Sequence, residues 1–237
     1  MNTEKHPFEP FLPKGARILF LGSFPPQEHR WCMRFYYPNW INDFWRVMGL
    51  IFYADKNHFC IQADKRFDEA AIKEFCEKKG LAFYDTACEV RRLKDNASDA
   101  FLEVVKPTDV AALLRQIPEC KTLVTTGQKA TEVIAETFHC PIPPVGGCIQ
   151  IEIPDQVGDD GKGTVRAVMP GGKCIQIEIP DQVGDDGKGT VRAVMPGSDR
   201  ASHAITFWRM PSTSRAYPLP LEKKAEAYKK LFETINL

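Results

Sequence analysis

Residues 35–45, FYYPNWINDFW, bring three adjacent aromatic rings (Phe35, Tyr36, Tyr37) and two asparagines (Asn39 and Asn42) into one short stretch. Ring faces stack on a nucleic-acid base for ~1–3 kcal/mol, and an Asn amide offers both a donor and an acceptor to a ligand edge or to a water. The same rings, with Phe44 and Trp45, equally suit a hydrophobic core, so the composition leaves both readings open. Ser23, in Gly22-Ser23-Phe24-Pro25-Pro26, stands where a nucleophile could sit on a strand-to-loop corner, with His139 or His203 as its base. No GxSxG elbow accompanies it, and no Asp and His follow at a recognisable offset, which argues against a triad. A Walker loop and a GxGxxG are both absent, so nucleoside triphosphates and dinucleotides lose their strongest support. Asp159-Asp160 and Asp185-Asp186 look like metal ligands in isolation but read as solvated turn residues. The eight cysteines contain no CxxC pair, so they read as reduced, mostly buried thiols and not as a zinc or iron–sulfur site.

The elements that would carry these residues follow from hydrophobic pattern. ARILFLG is a continuous apolar run of strand length that ends at Gly22, and the following Pro25-Pro26 forces a loop. Helices are expected over Asp43 to Leu50, Asp68 to Lys79, Thr108 to Ile117 and Gln128 to Phe138. Strands are expected at LAFYDTA, KTLVTTG and AITFWRM, the last running into Pro211-Ser212-Thr213-Ser214-Arg215. A closing helix from about Leu221 presents Leu221, Ala225, Tyr228, Phe232 and Ile235 inward, with Lys223, Lys224, Lys229 and Lys230 toward solvent. Four strands separated by helices imply one three-layer α/β/α domain, residues 1–237, with a mainly parallel central sheet. In such sheets ligands gather at the C-terminal strand ends, here Gly22–Pro26, Thr126-Gly127-Gln128 and Met210–Arg215.

The chain has 237 residues, 43% hydrophobic and 26% charged, enough apolar content for a sizeable core. No apolar run approaches a membrane span, and MNTEKHPFEPF lacks the basic start and apolar core of a signal peptide, so a soluble cytoplasmic protein is expected. CIQIEIPDQVGDDGKGTVRAVMPG occurs twice without mismatch, at 148–171 and 174–197. Two copies are too few for a solenoid, and each reads as a β-hairpin turning at Asp159-Asp160-Gly161, so 148–197 is expected to be a tandem-duplicated surface insertion. Each copy carries four acids and two bases, so the remainder has a net charge of +4 where the whole chain shows zero. A mildly basic body permits a nucleic-acid partner without requiring one.

Read in order, LFLGSFPP, FYYPNWINDFWRVMG, LAFYDTACEVRRLKDNASD, LVTTGQKA and MPSTSRAY resemble the uracil-DNA glycosylase superfamily, most closely its hypoxanthine-DNA and mismatch-specific branches. The resemblance spans about Arg17 to Phe232 apart from the insertion. It implies a monomeric α/β enzyme of base excision repair that flips a deaminated base, hypoxanthine or uracil, out of DNA. The N-glycosidic bond is then hydrolysed without metal or cofactor. Gly22-Ser23-Phe24-Pro25-Pro26 falls on the first superfamily motif, whose loop faces the base and the attacking water. Many branches carry a water-activating Asn or Asp at the place of Phe24; the hypoxanthine branch lacks it and has its catalytic Asn in the next loop, at Asn42 here. Pro26 replaces the usual last Gly of that motif. Pro211–Arg215 falls on the second motif, which enters the minor groove, with the wedge at Arg215, Ala216 or Tyr217.

The resemblance thus implies catalytic roles for Asn42 and Ser23, and a base pocket of Gly22, Phe24, Pro25, Phe35, Tyr36, Tyr37 and Asn39. DNA contacts are implied for Ser212, Thr213, Ser214, Arg215, Gly127, Gln128 and Lys129. Two other classes remain open: a damaged-DNA-binding protein that has kept the pocket and lost cleavage, and a small-molecule hydrolase built on Ser23.

Overall fold

The computed structural model describes residues 3–93, 101–154, 165–168, 174–177 and 202–237. A two-residue strand β1 (Glu4–Lys5) precedes β2 (Ile18–Gly22), and helix α1 (Phe44–Tyr53) follows. The short strands β3 (Cys60–Ile61) and β4 (Arg66–Phe67) lead into α2 (Glu69–Lys79) and β5 (Leu81–Asp85). Next come β6 (Ala87–Arg92), β7 (Leu102–Pro107), α3 (Val110–Gln116), β8 (Thr122–Thr126) and α4 (Gln128–Thr137). Strands β9 (Gly147–Pro154), β10 (Val165–Val168) and β11 (Cys174–Ile177) precede β12 (Ser202–Met210), and α5 (Leu221–Thr234) closes the chain.

A strand that is apolar at nearly every position must be covered on both faces, which is what a parallel sheet between helices provides. ILFLG and LAFYD are buried at all five positions each, and they lie side by side and parallel. The main sheet runs β11-β10-β9-β12-β8-β2-β5. Its four central strands β12, β8, β2 and β5 are parallel, and β9, β10 and β11 extend one side antiparallel. The β2-to-β5 and β5-to-β8-to-β12 connections progress in opposite directions across the sheet. Right-handed crossovers therefore place α1 and α2 on one face and α3 and α4 on the other. Helix α5 returns to α1, with Phe232 against Phe52 at 4.9 Å and Tyr228 against Phe44 at 6.2 Å between ring centroids. The result is the expected three-layer α/β/α architecture with a mainly parallel centre.

Local chemistry sets the element ends. Asp68 accepts from the Ala71 N–H and Asp109 from the Ala112 N–H, so α2 and α3 begin with side-chain caps. Asp109 thereby starts α3 at Val110, two residues later than the sequence pattern suggests. Gly80 ends α2 at φ 64°, a left-handed conformation that glycine adopts without Cβ strain.

Three expectations change. LAFYDTA is not one strand: β5 stops at Asp85, and β6 leaves in a second sheet of order β1-β6-β7. The first strand of the first repeat copy is not peripheral, because β9 pairs with β12 over eight positions and buries Ile149 and Ile151. The Asp159-Asp160-Gly161 turn, Asp185-Asp186 and most of the second copy lie outside the described residues. Finally, Lys224 is not on the solvent side of α5; it is 1% exposed. A period of 3.6 puts position 224 on the same face as 221, 225 and 228, so geometry overrides charge, and the amino group is buried with a partner. Among the described residues no helix is long and apolar enough to cross a membrane.

Candidate functional site

The C-terminal ends of β2, β5 and β8 open into a cavity of about 730 Å³. Its floor is Gly22-Ser23-Phe24-Pro25-Pro26, one side is Tyr36 to Asn39 with Ile41 and Asn42, and the opposite rim is Ser212 to Pro218. Three loops far apart in sequence thus meet where an α/β sheet presents ligand sites.

Phe24 stands half-exposed, its ring centroid 5.2 Å from that of His6 in an edge-to-face arrangement and 5.6 Å from the Arg92 guanidinium carbon. Arg92 also donates to the Pro25 carbonyl at 2.6 Å and pairs with Glu4 at 2.9 Å, so the loop after β2 is clamped from β6. The Trp31 indole N–H donates to the Pro26 carbonyl at 2.7 Å. Pro26 therefore keeps its acceptor in use although it has no N–H of its own. Ser23 is half-buried at the pocket wall.

The aromatic segment divides. Phe35 is 4% exposed and packs on Phe11 and Phe83, so it belongs to the core and does not line the cavity. Tyr36 borders the cavity but is 3% exposed, lies stacked on Phe83 and donates its hydroxyl to the Glu9 carbonyl at 2.8 Å. Tyr37 borders the cavity too, stacked on Phe44 at 3.9 Å, with its hydroxyl 2.8 Å from Thr126 Oγ1. Burial pushes the Tyr36 and Tyr37 phenols far above the ordinary tyrosine range, so both remain neutral. Tyr37 has φ 53°, a left-handed conformation that is strained for a bulky residue and that the Phe44 and Thr126 contacts hold in place.

Asn39 and Asn42 both reach the cavity wall, and each closes a local turn. Asn39 Oδ1 accepts from the Ile41 N–H at 3.1 Å, and Asn42 Oδ1 accepts from the Phe44 N–H at 2.9 Å. A backbone N–H can only donate, so the Asn42 oxygen is fixed, and it keeps a second lone pair beside the cavity. Arg46 holds the Asn42 backbone carbonyl at 2.9 Å from the next turn of α1.

The rim loop is anchored from below. Pro211 O accepts from Tyr228, Thr213 O from the Asp43 N–H, and Ser214 O from Lys224, each at 2.9 Å. Lys224 also pairs with Asp43 Oδ2 at 2.9 Å, inside the protein. Arg215 is 58% exposed, and its Nε lies 3.6 Å from Asp43 Oδ1. Ser212, Thr213, Ser214, Arg215, Ala216 and Tyr217 all border the cavity. Gly127, Gln128 and Lys129 do not: Gly127 sits under Ser212, and Gln128 bonds to Glu132 and Arg209.

Sequence reasoning missed a pair at the cavity floor. Asp85, the last residue of β5, borders the cavity, and His6 Nε2 donates to its Oδ2 at 2.9 Å with the His6 side chain 2% exposed. Asp85 Oδ1 lies so close to Gly22 that a Cβ there would come within 2.5 Å, so glycine at this position makes room for the carboxylate. The Gly at the end of ILFLG was a visible signal for a close approach; its partner was not. His139 does not border the cavity, so it is not placed to serve Ser23 as a base, and the His203 side chain lies outside the described residues. Among the described residues no group of three or more His, Cys, Asp or Glu side chains is arranged to hold a metal ion.

No family model and no curated protein matches the chain. Among solved structures, the solution NMR structure of a candidate uracil DNA glycosylase from Methanosarcina acetivorans is similar, with 20% identity and a TM-score of 0.42. The likeness covers 57% of this chain and 79% of that one.

Proposed function

We propose that the protein is a monofunctional DNA glycosylase that takes a deaminated base, hypoxanthine or uracil, into this cavity and hydrolyses its N-glycosidic bond. The observation that carries this reading is the meeting of Asn42, the Asp85 carboxylate and the Ser212–Tyr217 rim around one cavity of about 730 Å³. A base can reach such a floor only by leaving the stack, and the rim loop is placed to fill the gap it leaves.

Glycosidic cleavage develops positive charge on the sugar and negative charge on the departing base, so the site needs oriented donors and a placed water more than a strong nucleophile. The free lone pair of Asn42 Oδ1 orients that water. Loop amides after β2 and the Ser23 hydroxyl donate to the base oxygen, and each good donor contributes ~10²–10³ in rate. Asp85 supplies the selection. A carboxylate accepts from the ring N–H beside a carbonyl that hypoxanthine and uracil share, whereas adenine and cytosine present an acceptor at that edge. His6 draws off part of the Asp85 charge, which limits repulsion of the departing base.

A second reading, a protein that binds damaged DNA without cleaving it, draws on Phe24 in place of a water-activating side chain and on the turn that occupies Asn42 Oδ1. Single-lesion oligonucleotides carrying uracil, hypoxanthine or xanthine, incubated with the protein and treated with alkali, separate the two. Strand scission at one lesion supports the glycosylase. Tight lesion binding without scission supports the second reading, and neither binding nor scission removes both.

A further inference from the structure

A second groove of about 560 Å³ lies beside the base cavity. Residues 40–43 form the wall between them, with Ile41 and Asn42 lining the cavity and Trp40 and Asp43 lining the groove, and Arg215 borders both. The groove carries four cations, Arg46, Lys56, Arg215 and Lys224, against the single carboxylate of Asp43. That carboxylate is already engaged, with Lys224 at 2.9 Å and Arg215 at 3.6 Å.

Arg46 is left with charge and donors to spare. It is 7% exposed, and among the described residues it forms no ion pair. Nη1 donates to the carbonyls of Trp40 at 2.7 Å and Asn42 at 2.9 Å. The guanidinium lies over the Trp40 ring at 4.4 Å and the Phe67 ring at 5.2 Å. Nε and Nη2 have no hydrogen-bond partner among the described residues, on a side chain that borders the groove. Burial, reinforced by the like charge of Arg215, pulls the Arg46 pKa below the ordinary arginine value. A guanidinium stays charged nonetheless, so the groove keeps a fixed positive charge with donors open to an anion.

We infer that this groove binds phosphate, and that its occupant is the backbone phosphodiester next to the nucleotide held in the base cavity. The assignment to DNA rests on the glycosylase reading. Arg46 and Arg215 supply planar donors suited to phosphate oxygens, and Lys56, exposed at the groove, adds a point charge. Because Arg46 also holds the Asn42 carbonyl, a phosphate on Arg46 sets the register of the strand against Asn42, which makes Arg46 a positioning residue.

The test uses single-lesion duplexes in which each phosphate near the lesion is replaced in turn by an uncharged methylphosphonate. Wild type is expected to lose about tenfold in affinity at one position, the worth of one charge-assisted hydrogen bond. That loss should shrink in Lys56→Gln and in Arg46→Lys, and the salt slope of Lys56→Gln should fall by about one phosphate contact. Lys56→Gln carries the test if Arg46→Lys does not fold, since Lys56 is exposed. Lesion excision that proceeds while every methylphosphonate affects wild type and Lys56→Gln alike overturns the groove and leaves the glycosylase reading standing. A thermal-shift titration with inorganic phosphate at constant ionic strength forms the second arm. If DNA does not bind at all but phosphate stabilises wild type and not Lys56→Gln, the DNA assignment is overturned and the groove is a free-phosphate site.

Discussion

The Asn42 side chain closes a turn on the Phe44 N–H at 2.9 Å and borders the cavity, so its removal touches stability and chemistry by different amounts. Asn42→Ala is expected to cost about 1 kcal/mol of stability through the lost turn. It should also lower base release at least ~10²-fold in single-turnover assays while duplex affinity changes little, because an oriented water matters mainly in the transition state. Asn42→Asp keeps the turn and so separates the two effects; near-wild-type release by Asn42→Ala would take Asn42 out of the chemistry. Asp85→Asn keeps the volume but offers a donor where the carboxylate accepts. Release of the deaminated base should fall about 10–100-fold, the loss of one hydrogen bond of ~1.5–3 kcal/mol to a charged group. Discrimination against adenine or cytosine should narrow at the same time, and unchanged selectivity would show that Asp85 does not read the base.

At the scale of elements, the rim loop is held by the start of α1 and by α5 through one buried ion pair. Lys224 bridges Asp43 Oδ2 and the Ser214 carbonyl, each at 2.9 Å. Removing one partner of a buried pair strands the other charge, so Lys224→Met should destabilise the protein by ~3–5 kcal/mol, read from the urea midpoint. The double variant Asp43→Leu/Lys224→Met should recover most of that loss, because no charge is then left buried. Excision should stay low in the double variant, whose rim has lost its Ser214 anchor. A single variant within 1 kcal/mol of wild type would mean that the pair is not structural.

Across the whole molecule, the duplication adds both sheet and charge. Strand β9, at 147–154, runs through the start of the first copy and pairs with β12 over eight positions, whereas among the described residues 174–177 of the second copy pair with β10 alone. The copies are identical, so deleting residues 172–197 leaves one copy able to supply both β9 and β10. The shorter connection changes loop entropy by only ~0.6 kcal/mol per factor of two in length. The deletion protein is expected to unfold cooperatively and to retain excision. It should bind duplex slightly more tightly at low salt, because four acids and three bases leave with residues 172–197. Loss of the cooperative transition, or of excision in a folded deletion protein, would show that the second copy is needed.

What the sequence determined by itself was whatever rests on neighbours along the chain. Unbroken apolar runs defined β2 and β5, a period of 3.6 defined the helices, Pro25-Pro26 defined the loop after β2, and strand alternating with helix defined the layered parallel sheet. Ordered motifs grouped Asn42, Phe24 and the Ser212–Arg215 loop, all of which border one cavity. Only the tertiary structure decided what depends on partners distant in sequence. His6 meets Asp85 across 79 positions, Arg92 reaches the Pro25 carbonyl across 67, and Lys224 meets Asp43 across 181. It also sent Phe35 to the core while Tyr37 stayed at the cavity, although adjacent rings carry the same composition signal. The reason is physical: local propensity and periodicity fix which face of an element turns inward, but a polar group on that face is tolerated only if packing of the assembled layers delivers its partner, and that partner can come from anywhere in the chain.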